Sequence, residues 1–130
     1  MFLNNETDYA IRIVACLAEH KEKLDAASIS EKTGVTQRFS LKILNRLTKG
    51  NIVKSFKGAK GGYALAKAPE DITLLEIVEL MCGPLNFSRC QGEEGVCTHP
   101  MGVCYFRDTF DEVSSFMQQR FKTATFKTEE

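Results

Sequence analysis

A chain of 130 residues with 17 Lys plus Arg, 17 Asp plus Glu and 43% hydrophobic residues is long enough for one domain with a real core, so neither disorder nor a disulfide scaffold is required. Its longest uninterrupted apolar run, Ile13 to Ala18, is six residues, and Glu6 and Asp8 stand near the start in place of a basic stretch, so a membrane span and a secretory leader are not expected. The expectation is a soluble cytoplasmic domain whose five cysteines act as reduced thiols, metal ligands or redox groups rather than as structural disulfides.

Residues 6–20 read as a helix, because Ala10, Ile13, Val14 and Leu17 follow the i, i+3, i+4, i+7 rule, with Ile11, Ala15 and Ala18 widening the apolar face. A short helix over residues 26–33 ends at Gly34, suited to a left-handed stop, and Thr36 then caps a third helix running to about Lys49. In that helix Phe39, Ile43, Leu44 and Leu47 form the expected buried face, while Arg38, Lys42, Arg46 and Lys49 recur at spacings of four, four and three. The run Ile52 to Lys57, the tip Gly58-Ala59-Lys60-Gly61 and the run Gly62 to Ala66 read as a β-hairpin. Helix, tight turn, helix and hairpin together make a winged helix-turn-helix.

Thr73-Leu74-Leu75-Glu76 is a capping box for a further helix to about Met81, which Gly83-Pro84 stops. Residues 83–104 then lack any apolar period, an unusually long irregular stretch of the kind that is functional or disordered. Beyond it Phe106, Phe110, Val113, Met117 and Phe121 fall on one stripe of a long amphipathic helix. That stripe suits packing against a second copy, giving two half-site readers, more than folding back on its own domain. The tail from Thr123 is expected to fray. The expected class is mainly α with a small β-hairpin. It comprises a winged helix-turn-helix over residues 1–82, a cysteine-bearing loop over 83–104, a dimerisation helix over 105–122 and a tail over 123–130, all one structural domain.

Charge is neutral only on average. From Lys32 to Pro69 stand nine basic residues and no Asp or Glu, whereas the remainder holds eight basic and all 17 acidic residues. Such a block is the footprint of a polyanion-binding face, and here it covers both reading elements of a winged helix. Arg38, Lys42, Lys57 and Lys60 are therefore expected at a DNA interface, with Gln37 and Ser40 in the opening turn of the third helix reaching base edges. The simpler alternative is a solvated basic helical hairpin with a surface β-ribbon.

The cysteines form two groups. Cys16 and Cys82 lie in helical patterns and read as small core hydrophobes, whereas Cys90, Cys97 and Cys104 share the irregular loop at a spacing of Cys-x6-Cys-x6-Cys. Thiolates are the soft ligands of iron-sulfur clusters, zinc and copper(I), and this spacing does not choose among them or exclude a disulfide-switching loop. His99 is a possible fourth ligand. No Cys-x-x-Cys, nucleophile–base pair or phosphate loop supports an enzyme.

Thr7-Asp8-Tyr9-Ala10-Ile11-Arg12, Gln37-Arg38-Phe39-Ser40-Leu41-Lys42-Ile43-Leu44, the wing Lys57-Gly58-Ala59-Lys60-Gly61-Gly62-Tyr63-Ala64-Leu65 and the three-cysteine loop together resemble the IscR/NsrR family of iron-sulfur transcriptional repressors. The resemblance covers nearly the whole chain. It implies a homodimeric winged-helix regulator of double-stranded operator DNA. Its cluster, 2Fe-2S or 4Fe-4S, would be held by Cys90, Cys97, Cys104 and one residue from the partner's first helix or nearby, and cluster state would gate DNA binding. The chain departs from the best-known members, which have one residue fewer in each cysteine gap, from IscR-like members, which have a histidine ligand where Arg107 stands here, and from the usual wing arginine, replaced by Lys57. Arginine stays protonated and is no ligand. NsrR-like members instead place an acid at the position of Asp8, which makes Asp8 the candidate fourth ligand. The other class of function is a zinc- or thiol-stabilised interaction module without a labile cluster.

Overall fold

Asn4 sets the start of the first helix. Its side chain accepts a hydrogen bond from the Thr7 amide at 2.8 Å, an N-cap that satisfies one of the donors a helix leaves open. The helix that follows, α1 (Asn5–Glu19), buries Ala10, Ile13, Val14, Cys16, Leu17 and Ala18, the face its periodicity predicts. In this computed structural model, which describes residues 3–85 and 106–128, α1 packs against α2 (Ala26–Thr33), α3 (Gln37–Lys49) and α4 (Leu74–Cys82). It is the axle of the core. Ile13, Ile29, Ile43, Leu44, Leu47, Ile72 and Ile77 around it are wholly buried, and each such side chain contributes roughly 1.5–3 kcal/mol relative to exposure.

Helix α2 is capped by Asp25, which accepts from the Ser28 amide at 2.7 Å, and stops at Gly34, whose φ of 76° is the left-handed conformation expected of a glycine stop. That stop turns the chain directly into α3, capped by Thr36. The hairpin pairs β1 (Val53–Phe56) with β2 (Gly62–Leu65) antiparallel, in the register Val53 with Leu65 and Phe56 with Gly62. The sequence gives no hint that Leu24 joins it: its amide and carbonyl exchange hydrogen bonds with Tyr63 at 3.0 and 2.7 Å, adding a single-residue third strand. Gly62 makes this approach possible. Its φ is +154°, and a Cβ there would lie 2.9 Å from the Leu24 carbonyl oxygen.

A 3-10 turn (Pro69–Asp71) leads to α4, which opens with both hydrogen bonds of the Thr73/Glu76 capping box. The last helix, α5 (Arg107–Thr123), packs on α4 but leaves Phe106, Val113 and Phe116 exposed. The expected stripe is thus shared. Phe110, Met117 and Phe121 are partly buried and Phe106 and Val113 face outward.

Two expectations are corrected. Phe39 is 45% exposed rather than core, because its ring packs on Tyr9 of α1, with centroids 6.1 Å apart. The tail does not fray at Thr123: Leu74 donates to the Ala124 carbonyl at 2.8 Å, Phe126 donates its amide to the Pro69 and Ile72 carbonyls at 3.2 Å, and the Phe126 ring packs on the core. Phe126→Ala is therefore expected to lower stability by roughly 1–3 kcal/mol, less than a fully buried Phe would, read as a lower urea midpoint. An unchanged midpoint would mean that the tail contributes nothing.

Candidate nucleic-acid interface

The opening turn of α3 carries no acidic residue, and Gln37 and Arg38 stand exposed on it. Lys57 and Lys60 are exposed at the hairpin tip, where Gly58 adopts a positive φ of 98° and the Gly61 amide closes the turn on the Gly58 carbonyl at 2.9 Å. Among the described residues no carboxylate pairs with Arg38, Lys57 or Lys60. Flexible cations without an internal partner, on a helix end and a hairpin tip, are suited to phosphate oxygens, while the Gln37 amide offers the donor and acceptor that base edges require.

Ser40 does not belong with them. It is wholly buried, and its hydroxyl donates to the Val35 carbonyl at 3.4 Å, a carbonyl that Ser30 also reaches. It lies one turn from Thr36 on the face that carries Ile43, Leu44 and Leu47, so it serves the tight turn between α2 and α3 rather than a base edge.

Lys42 is exposed but engaged. Its Nζ lies 2.7 Å from one carboxylate oxygen of Glu6 in the first turn of α1, and the guanidinium of Arg46 lies 3.1 Å from the other. Arg46 also donates to the Leu80 carbonyl at 3.0 Å, so it ties α3 to both α1 and α4. Hydrogen bonding and charge from Lys42, with Arg46 adding to them, hold the Glu6 carboxyl below the usual glutamate range. A group whose folded pKa is depressed stabilises the fold above its unfolded value, and that contribution is lost as pH falls through the folded one. Glu6→Gln is accordingly expected to flatten the acid limb of a urea-midpoint curve taken from neutral pH to about pH 3. An acid limb identical to that of the parent protein would assign the acid sensitivity to other carboxyls.

The residues proposed from sequence as metal ligands are only partly within view. Cys90, Cys97 and Cys104, with His99, lie outside the described residues. Asp8 is more than half exposed in the first turn of α1 and pairs with Arg12 at 3.0 Å. Among the described residues no group of three or more His, Cys, Asp or Glu is placed to hold a metal ion. Cys16 is buried, as expected, and burial pushes its thiol pKa up. Cys82 is not a plain core hydrophobe. It is half-buried, and its sulfur lies 2.8 Å from the hydroxyl of Thr7, which is itself wholly buried and donates to Asn4 at 2.7 Å. The contacts of Glu6 and Thr7 beside these residues are not foretold by the sequence pattern, and only a polar threonine one turn ahead of Ala10 on an apolar face hints at them.

A family model described as Rrf2, iron-dependent transcriptional regulator, matches residues 3–128. The chain belongs to the Rrf2 family. The HTH-type transcriptional regulator IscR of Photorhabdus laumondii is 29% identical over 125 residues, covering 90% of this chain and 74% of that protein. The same fold is found in CymR, the global cysteine regulator of B. subtilis, with a TM-score of 0.78 at 20% identity over 97% of this chain and 93% of that one. IscR of T. potens superposes with a TM-score of 0.76 at 23% identity over 97% and 83%. This Rrf2 protein is thus a winged-helix transcription regulator of a DNA-binding family and not an enzyme. Among its described residues no helix is long and apolar enough to cross a membrane.

Proposed function

We propose that this Rrf2 protein is a transcriptional repressor that binds double-stranded operator DNA as a homodimer, its affinity gated by an iron-sulfur cluster, 2Fe-2S or 4Fe-4S, that senses nitric oxide, iron or redox state. The observation that carries this reading is the set of three thiols, Cys90, Cys97 and Cys104, in the segment joining α4 to α5 of an iron-dependent regulator family member. Thiolates are the donors such clusters require. Asp8 fits as the fourth ligand, given to the partner's cysteines, because its pairing with Arg12 is exposed and such pairs are worth only about 0–1 kcal/mol. When bound, the cluster supplies an iron centre open to oxidants and nitric oxide. The exposed Phe106 just before α5, with Val113 and Phe116 on it, supports pairing of two copies in the cytoplasm.

Protein purified anaerobically is expected to be brown, with iron, sulfide and visible absorption that disappear when Cys90, Cys97 and Cys104 are changed together to Ser. Asp8→Ala should dimerise normally, hold a more labile cluster, and lose most of the difference in operator affinity between holo and apo forms. Colourless protein with stoichiometric zinc would instead establish a zinc-stabilised module.

At the DNA, Arg38, Lys57 and Lys60 contact phosphates, Gln37 reads a base edge, and Lys42 lies beside them with its charge shared with Glu6. Lys57→Ala and Lys60→Ala should each weaken all sequences alike and reduce the salt slope by about one, whereas Gln37→Ala should mainly relax discrimination. Equal loss of sequence preference in all three variants would refute that division.

A further inference from the structure

Of the nine basic residues between Lys32 and Pro69, Lys42 has a distinctive position. It is on the helix that a winged fold presents to DNA, its side chain is 58% exposed, and among the described residues it pairs with a carboxylate from a different helix, 36 residues away. Arg46, which shares that carboxylate, is anchored a second time on the Leu80 carbonyl. Removing the Glu6 charge would therefore release Lys42 and leave Arg46 tied to α4.

We propose that Glu6 is an internal competitor for DNA phosphate, which holds Lys42 in the free protein and sets how strongly the recognition helix is drawn to any duplex. This rests on the reading of α3 as the DNA-facing helix. Carboxylate and phosphate are both oxyanions that accept from an ammonium group, so Lys42 cannot serve both fully. The Glu6–Lys42 pair is partly exposed and weak enough to be exchanged. Its effect is a trimming of sequence-independent attraction rather than a block. Such trimming matters for a protein that has to leave non-specific sites, because the electrostatic component of affinity is common to every sequence.

The test is a double-mutant cycle with Glu6→Gln and Lys42→Gln. Glutamine keeps the shape of each site closely enough for circular dichroism and thermal melting to confirm that all variants fold. Two probes are titrated over a range of salt: a mixed-sequence duplex, and an operator selected from a random library by the parent protein. Glu6→Gln is expected to bind both duplexes about three- to tenfold more tightly at low salt and to steepen the salt slope by about one, as one added phosphate contact does. In the Lys42→Gln background the same change should give no gain. A gain that persists there would be a general effect of net charge and would overturn the role given to Glu6, as would an unchanged slope or weaker binding by the single variant. Failure of the parent protein to bind either duplex would overturn the DNA reading itself, a result distinct from parent binding with an unresponsive Glu6.

Discussion

The first turn of α1 is the joint on which the arrangement of the other elements depends. Three consecutive side chains leave it in different directions, since successive residues of a helix are turned by about 100°. Glu6 reaches Lys42 and Arg46 of α3, Thr7 is buried against Cys82 at the end of α4, and Asp8 points to solvent beside Arg12. Asn4 fixes the turn from below by accepting from both the amide and the hydroxyl of Thr7. Arg46 closes the triangle through Leu80 of α4. The apolar stripe of α1 supplies most of the energy but is directionless, and these polar contacts add directional ties from α1 to α3 and α4. A net hydrogen bond is worth about 0.5–1.5 kcal/mol, too little to hold the fold alone and enough to choose between two packings of it.

That scale bears on how a signal could be carried. A tenfold change in operator affinity corresponds to about 1.4 kcal/mol between two states, the scale of one or two ordinary hydrogen bonds. A tie at Asp8 would act on the same helical turn that holds Lys42 and Arg46 through Glu6. The end of α4, where the cysteine-bearing segment begins, meets that turn through Cys82 and Thr7. Sensor and reader would then share one turn of helix, and no long relay of packed side chains is required between them.

Local rules made most of the architecture legible. The bounds of α1, α2, α3 and α4 follow from apolar period, caps and glycine stops to within a residue or so, because each of these acts over a few positions of chain. What escaped depends on residues distant in sequence. Phe39 has the helical phase of a core residue, yet it is drawn to Tyr9 at the rim of α1. Ser40 has the polarity of a surface residue, yet the Val35 carbonyl gives its hydroxyl a partner inside. Phe126 follows no periodic pattern, and its docking depends on carbonyls of the Pro69–Ile72 turn that only the fold brings near. The ion pairs of Glu6 span 36 and 40 residues, and no charge count could reveal them. Of the residues that sequence points to as a candidate interface, Gln37, Arg38, Lys57 and Lys60 are exposed and Ser40 is buried, because polarity says which residues can reach the surface and only packing says which do.

The segregation of charge acquires a finer meaning from this geometry. Among the described residues, acidic residues outside the basic block reach back into it at two places, Glu6 to Lys42 and Arg46, and Glu76 to Lys67 at the base of the wing. At the wing tip, by contrast, Lys57 and Lys60 meet no carboxylate among the described residues. The two reading elements therefore differ in kind. The wing tip keeps its full charge on flexible stems, which suits sequence-blind attachment to backbone, whereas the helix has its charge moderated by α1 and exposes Gln37, an uncharged group able to discriminate between base edges. On the proposed reading, attraction and recognition would then rest mostly on different elements, and the moderated helix, attached through Glu6 to the turn that bears Asp8, would be the one whose placement a ligand at Asp8 could alter.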